Sequence, residues 1–212
     1  MTRDAVKTLF HPFAILELTP PPKGETVLFV GAEAGYELPE GFEADITYVQ
    51  PFKPLYNGLQ RRGIDAQPFV EGQDYDMALI LISRHRGQNE NAIADAMGRL
   101  SPGGRVVVAG SKEDGIQSLH KRVGGLGIET EHLAKYHAQA FWFSRPDDPQ
   151  AAISALSNPA ASVAGKYLTK PGMFSHGEAD AGSVFLARYL PKGFHKLAAD
   201  FGAGWGYLAG AL

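Results

Sequence analysis

Asp200-Phe201-Gly202-Ala203-Gly204-Trp205-Gly206 is the stretch of this 212-residue chain best suited to holding a ligand. Glycine at every second position leaves the backbone bare, so a ligand can reach main-chain N–H groups with no side chain in the way. Where such a turn joins a strand to a helix, the unpaired N–H groups of the helix N-terminus extend the cradle. The acid before the first glycine adds a hydrogen-bond acceptor. A lone glycine-rich turn is also common in plain loops. Spacing narrows the choice. A dinucleotide fingerprint, Gly-x-Gly-x-x-Gly, puts its third glycine one residue later than here.

A degenerate copy lies far upstream. Phe29-Val30-Gly31-Ala32-Glu33-Ala34-Gly35 aligns with Asp200 through Gly206 and keeps the outer glycines, Gly31 and Gly35. Phe29 stands in place of Asp200, and Glu33 in place of Gly204. The next apolar run ends Tyr48-Val49-Gln50, with no acid to bind a ribose diol. This pattern suggests a duplicated fold whose first copy has lost its site, against the alternative that the two turns are unrelated.

Other chemistry-bearing groups are weaker candidates. The seven histidines form no His-Glu-x-x-His, and His132 and His137 are not spaced to share a helix face, so no metal site is expected. Ser175-His176 lacks the Gly-x-Ser-x-Gly elbow of a nucleophilic serine and reads as polar loop. Arg61-Arg62, Arg84-His85-Arg86 and His120-Lys121-Arg122 are short basic clusters. Of these, Arg84-His85-Arg86 follows a buried strand, at the end of an α/β sheet where ligands bind, and is the best candidate for contact with any nucleic-acid ligand.

The elements that must position these groups follow from apolar patterning. Thr26 to Val30, Ile46 to Val49, Tyr75 to Ile82 and Arg105 to Gly110 are runs of a buried strand's length and composition. Between them, helical spacing predicts helices over 52–62, 89–100 and 114–126. A lead helix is predicted within 1–18, stopped by Pro20-Pro21-Pro22. Ser101-Pro102-Gly103-Gly104 reads as a turn. Glu131 to Leu133 and Ala138 to Phe143 read as a closing strand pair. Strands alternating with helices call for an α/β fold, a mostly parallel sheet flanked by helices. This first domain is placed at 1–162, ending in the Pro146-to-Pro149 and Ser157-Asn158-Pro159 punctuation. Residues 163–212 differ. They carry Lys170 to Gly177, a helix from Ala181 to Leu190, a turn at Pro191-Lys192-Gly193, and a short strand from Lys196 to Asp200 that opens into the glycine turn. They read as a linker and the start of a second domain of the same kind.

Composition sets limits. With no cysteine, disulfide scaffolds and thiolate chemistry are excluded, which fits a cytoplasmic protein. The 25 glycines and 14 prolines imply many turns. A net charge of −3 is far from the basic balance of a dedicated nucleic-acid binder, so any RNA contact must be a local patch. No apolar run approaches the ~18 residues of a membrane span.

The chain resembles the two-domain guanine-N2 methyltransferases of small-subunit ribosomal RNA, in the methyltransferase-small superfamily. The carrying motifs are Tyr75-Asp76 before a strand, the Gly110-to-Gly115 turn, Pro171-Gly172-Met173-Phe174-Ser175, Asp180-Ala181-Gly182-Ser183, and Asp200 to Gly206. The last resembles motif I of S-adenosylmethionine-dependent methyltransferases. The resemblance implies a first domain without a cofactor site that aids folding and RNA binding. It also implies a second, catalytic domain in which Asp200, Gly202, Gly204 and Gly206 line S-adenosylmethionine, with Phe174 and Ser175 nearby. The implied partner is ribosomal RNA or the small ribosomal subunit. The family's catalytic Asn-Pro-Pro-aromatic motif, which holds a flipped guanine, is absent up to Leu212, and Ser157-Asn158-Pro159-Ala160 does not replace it. No catalytic residue is therefore assigned. The expectation is an N-terminal portion, inactive alone and without bound cofactor. Alternatives are a non-catalytic RNA- or protein-binding module of methyltransferase-like fold and, more distantly, a dehydrogenase.

Overall fold

The structure is a computed structural model that describes residues 3–191, 193 and 197–212. Its contacts divide the chain into two units, Met1–Ser157 and Asn158–Leu212.

The first unit is built on a seven-stranded sheet. The strands are β1 (Thr26–Val30), β2 (Asp45–Val49), β3 (Ala66–Gln67), β4 (Tyr75–Leu81), β5 (Leu100–Ser111), β6 (Glu131–Lys135) and β7 (Ala138–Ser144), in the order β3-β2-β1-β4-β5-β7-β6. All pairings from β3 to β5 are parallel, and β7 runs antiparallel to both β5 and β6. The expected mostly parallel sheet flanked by helices is present. Helices α1 (Asp4–Ala14), α2 (Lys53–Gln60), α3 (Arg86–Arg99), α4 (Ile116–Gly124) and α5 (Gln150–Leu156) surround it.

Side-chain alternation explains why the central strands are apolar throughout. Val27, Phe29, Leu79, Val107, Ala109 and Trp142 join one core cluster with Val6, Leu9, Phe10 and Phe13 of α1. Leu28, Ala78, Ile80, Val106, Val108 and Phe141 join the opposite cluster with Ile93 and Met97 of α3 and Leu119 and Val123 of α4. Both faces are thus covered, and each fully buried large side chain contributes about 1.5–3 kcal/mol. Polar pinning supplements this. The Asp76 carboxylate accepts from the Thr26 N–H at 2.8 Å and its hydroxyl at 3.1 Å, stitching β4 to β1.

Three differences from the sequence reading have local causes. Ser101 to Gly104 is not a free turn but an irregularity within β5. Tyr75 pairs with Leu100 and Met77 with Arg105, so the intervening residues bulge out of the ladder. β3 and α5 were not expected; each is short, and α5 buries only Ala152 and Leu156. The boundary between units falls shortly before the one drawn after Ser162. The reason is that β8 (Ala161–Val163) pairs antiparallel with β9 (Tyr167–Thr169) in the second unit.

In that second unit, α6 (Ala181–Ala187) is the one α-helix among the described residues. Asp180 caps it, accepting from the Ser183 N–H at 2.8 Å and hydroxyl at 3.1 Å, which accounts locally for Asp-Ala-Gly-Ser. The strand expected at Lys196 to Asp200 is not formed over Leu197–Asp200, which is exposed coil; Lys196 itself and Lys192 of the preceding turn lie outside the described residues. A strand needs a neighbour for its backbone groups, and no ladder partner stands beside this segment among the described residues. Beyond the glycine turn comes only a short 3-10 turn, Ala209–Ala211, in place of the expected helix.

Candidate functional site

In the second unit, the glycine turn has the backbone of a cradle. Gly202, Gly204 and Gly206 take φ of +88°, +57° and +87°, where side chains are rarely tolerated. A Cβ at any of the three would meet nothing within 4 Å, so the space beside the backbone is open. Asp200 is exposed at the entrance. The turn is closed locally by the Gly206 N–H donating to the Ala203 carbonyl at 2.8 Å.

The Pro171-to-Ser175 segment is tied to this turn by Trp205, the aromatic residue within it. The Trp205 indole N–H donates to the Phe174 carbonyl at 2.9 Å. The Trp205 ring also lies 5.0 Å from that of Tyr167 on β9, and Tyr207 lies 6.0 Å from Tyr167. The Lys166 ammonium donates to the Gly210 carbonyl at 2.8 Å. The hairpin β8–β9 thereby holds the C-terminal side of the turn. Gly172 and Ser175 sit at φ of +98° and +50°, shaping a tight loop, and the buried Thr169 hydroxyl donates to the His176 carbonyl. The Phe174 side chain is exposed. Of the six expected cofactor residues, Phe174 is tied by its carbonyl to Trp205, which lies between Gly204 and Gly206; Ser175 follows Phe174, and Asp200 is two residues before Gly202. Only tryptophan's habit of finding a partner for its N–H could have signalled the clamp in advance.

The matching position in the first unit is filled. Gly31 follows β1 with φ of +73°, and its N–H donates to the Val49 carbonyl at 2.9 Å. A Cβ there would lie 2.5 Å from the Leu81 carbonyl oxygen. Gly35 shares the left-handed backbone, at +99°. Gln50 is buried at the end of β2, its amide N–H donating to the Ala32 carbonyl at 2.8 Å while its carbonyl accepts from the Phe52 N–H at 2.9 Å. Glu33 pairs with Arg3 at 2.7 Å, and Arg3 reaches Asp114 at 3.4 Å. Asp114 also accepts from the Ser111 hydroxyl at 2.7 Å. Burial holds the Glu33 carboxyl above the usual carboxylate range, and Arg3 opposes that rise. Protein groups therefore take up the switch-point turn where a Rossmann-like sheet would receive a ligand.

Of the basic clusters, Arg61 and Arg62 are exposed, whereas His120 and Arg122 are half-buried. Arg84 and His85 are exposed beyond β4, and the Arg86 guanidinium pairs with Glu90 at 2.8 Å. No described helix is long and apolar enough to cross a membrane.

Comparison with known proteins bears on both units. The family "Methyltransferase small domain" matches residues 164–212. "Ribosomal RNA small subunit methyltransferase C" of Pseudomonas paraeruginosa is 32% identical over 146 residues, covering 65% of this chain and 42% of that protein. The protein of the same name from Vibrio vulnificus is 28% identical over 138 residues, 63% of this chain and 40% of its own length. The chain thus spans less than half of these relatives. Among solved structures, the T. thermophilus 16S rRNA N2 methyltransferase RsmC, solved with AdoMet and guanosine, superposes with a TM-score of 0.60 at 18% identity. That match covers 87% of this chain and 51% of the other. At that identity the likeness is one of fold: the seven-stranded sheet is a Rossmann-like, methyltransferase-like fold.

Proposed function

We propose that this chain is the N-terminal portion of an S-adenosylmethionine-dependent methyltransferase that modifies guanine N2 in small-subunit ribosomal RNA in the cytoplasm. The observation that carries the reading is the contrast between the open Gly202–Gly206 turn and the filled Gly31–Gly35 turn. The named relatives supply the reaction class and the RNA.

The residues of the second unit fit the cofactor, because the three glycines leave backbone space that no side chain enters. When bound, S-adenosylmethionine supplies an electrophilic methyl group on a sulfonium. Gly202, Gly204 and Gly206 would receive its methionine end, with Asp200 accepting a hydrogen bond and Phe174 and Ser175 beside it. Trp205 fixes the Phe174 backbone relative to the glycines. Methyl transfer needs little proton movement but strict alignment, so the chief task of these residues is positioning. Residues 1–162 serve as a cofactor-free partner domain for folding and RNA binding, and 163–212 begin the catalytic domain. Since the match covers only 42% of the Pseudomonas relative, the groups that hold the guanine are assigned to sequence outside these 212 residues, and the chain alone is expected to be inactive.

The test is tritiated methyl incorporation into small-subunit RNA by the gene product carrying this chain. Wild type should label the RNA, and Gly204→Val should abolish labelling by filling the cradle. Full labelling with Gly204→Val would remove the glycine turn from the cofactor site.

A further inference from the structure

The β6–β7 connection is a two-residue turn, since Lys135 pairs directly with Ala138. Tyr136 and His137 form it, with φ of +51° and +58°. A hairpin turn of this kind is filled most cheaply by Asn-Gly, and left-handed backbone costs an ordinary residue about 1–2 kcal/mol. The turn itself gives no reason for an aromatic followed by an imidazole.

Their surroundings do. The Tyr136 ring remains substantially exposed, with the Lys7 and Lys135 ammonium groups 6.0 Å and 5.8 Å from its centroid and the His11 ring at 5.4 Å. The Thr8 hydroxyl donates to the Lys135 carbonyl at 2.8 Å and anchors α1 to the turn. On the α4 side of the same hairpin lies a groove of about 310 Å³, lined by Lys112, Ile116, Gln117, Lys135, His137 and Gln139, and no carboxylate lines it. Tyr136 stands outside it, toward α1. Neither Lys112 nor Lys135 forms an ion pair among the described residues. The nearby acids are Asp4, which pairs with Lys7 at 3.2 Å, Asp114, which faces Arg3 at 3.4 Å, and exposed Glu113. The groove lies at the carboxyl ends of β5 and β6, the edge where ligands of α/β sheets are received.

We infer that single-stranded RNA crosses the tip of this hairpin, with Lys112 and Lys135 of the groove on phosphates and a base stacked on Tyr136 just outside the groove. Cations that track a backbone beside an exposed ring are what single strands require. The inference rests on the RNA-methyltransferase reading and gives its substrate a docking surface that is separate from the glycine turn. It also explains how a chain of net charge −3 can hold a polyanion: through a local patch.

The experiment is fluorescence anisotropy of the 212-residue chain with a labelled single-stranded RNA oligonucleotide, over a series of salt concentrations. Lys112→Gln with Lys135→Gln should weaken binding about tenfold or more and flatten the salt dependence by about 1.4 in log–log slope, two phosphates' worth. Tyr136→Asn keeps a residue suited to left-handed backbone. It should weaken binding about tenfold with the slope unchanged. Arg61→Gln with Arg62→Gln, on a different surface, should change neither. Circular dichroism and the thermal midpoint establish that each variant is folded. The inference is overturned if wild type binds no RNA, if the groove variants bind like wild type, if the Arg61/Arg62 control loses as much, or if polyglutamate displaces RNA equally well. None of these outcomes touches S-adenosylmethionine binding by the gene product, which tests the underlying reading separately.

Discussion

The two glycine turns use one backbone device for opposite ends. Gly31 and Gly35, like Gly202 and Gly206, adopt left-handed φ. Around Gly31 the chain closes in, with Leu81 against its Cα, Gln50 bridging Ala32 and Phe52, and Arg3 drawn onto Glu33. Around Gly202 nothing approaches, and Trp205 reaches sideways to Phe174 without entering the space. With Glu33 where the second turn has Gly204, and Phe29 where it has Asp200, the first turn is a packed joint. The same pattern of turns can thus stabilise one unit and stay open to a ligand in the other.

That contrast can be broken by substitution. Gly31→Ala puts a methyl group 2.5 Å from a backbone oxygen that cannot move aside easily. A cost of about 3 kcal/mol is expected, against about 1 kcal/mol for Gly202→Ala, where only the left-handed backbone is strained. Urea unfolding checks this, with Trp142 reporting the first unit and Trp205 the second, each read in a background where the other is phenylalanine. Equal costs would erase the distinction. Next in size, Gln50→Ala should cost about 2 kcal/mol, because the Ala32 carbonyl and Phe52 N–H lose their buried partner.

Smaller effects depend on pH. Arg3→Ala should destabilise by about 1 kcal/mol at neutral pH, since it leaves Glu33 half-buried without its counter-ion. Burial already raises the Glu33 pKa above 4.5 in the folded state, and losing Arg3 raises it further. The folded variant then holds its proton more tightly than the unfolded chain does. Its stability deficit should grow as pH rises through the folded pKa and shrink as pH falls toward 4.5. Denaturation curves across that range give the sign.

The smallest effect concerns His120. Burial, then His132, lowers its pKa below 6.5. Its ring stacks on Phe141 at 4.8 Å and bonds Thr130 and Gln139. The folded state prefers neutral imidazole, so stability should fall as pH drops through 6.5 and level off below the folded pKa. Thermal midpoints at about pH 7 and about pH 5 should differ less in His120→Gln than in wild type.

How much of this was legible in the sequence varied with how each part is stabilised. β1, β4 and β5 announce themselves because each holds an unbroken apolar run, residues 27–29, 77–81 and 106–109, that is buried on both faces. Phe29, Glu33 and Gln50 could be flagged as wrong for a cofactor, but the partners that make them useful, Arg3 and Ala32, come from separate loops. α5 was hidden by flanking prolines and by having two buried side chains, and β3 by its length of two residues. In the glycine turn, Trp205 carries no sequence signal of what it bonds to. Its role depends on Phe174 and Tyr167, which are distant in sequence and meet it only in the fold. The expected strand before the turn shows the converse limit. Apolar spacing can nominate Leu197 to Asp200, but a strand exists only where a neighbour pairs with it.

The central claim is that the second glycine turn, and not the first, is the cofactor cradle. Calorimetric titration of S-adenosylmethionine into the gene product carrying this chain tests it most directly, comparing wild type, Gly204→Val and Gln50→Ala. One site per chain is expected in wild type and in Gln50→Ala, and no binding in Gly204→Val. Binding that survives Gly204→Val but is lost in a folded Gln50→Ala variant would place the cofactor in the first unit and contradict the account.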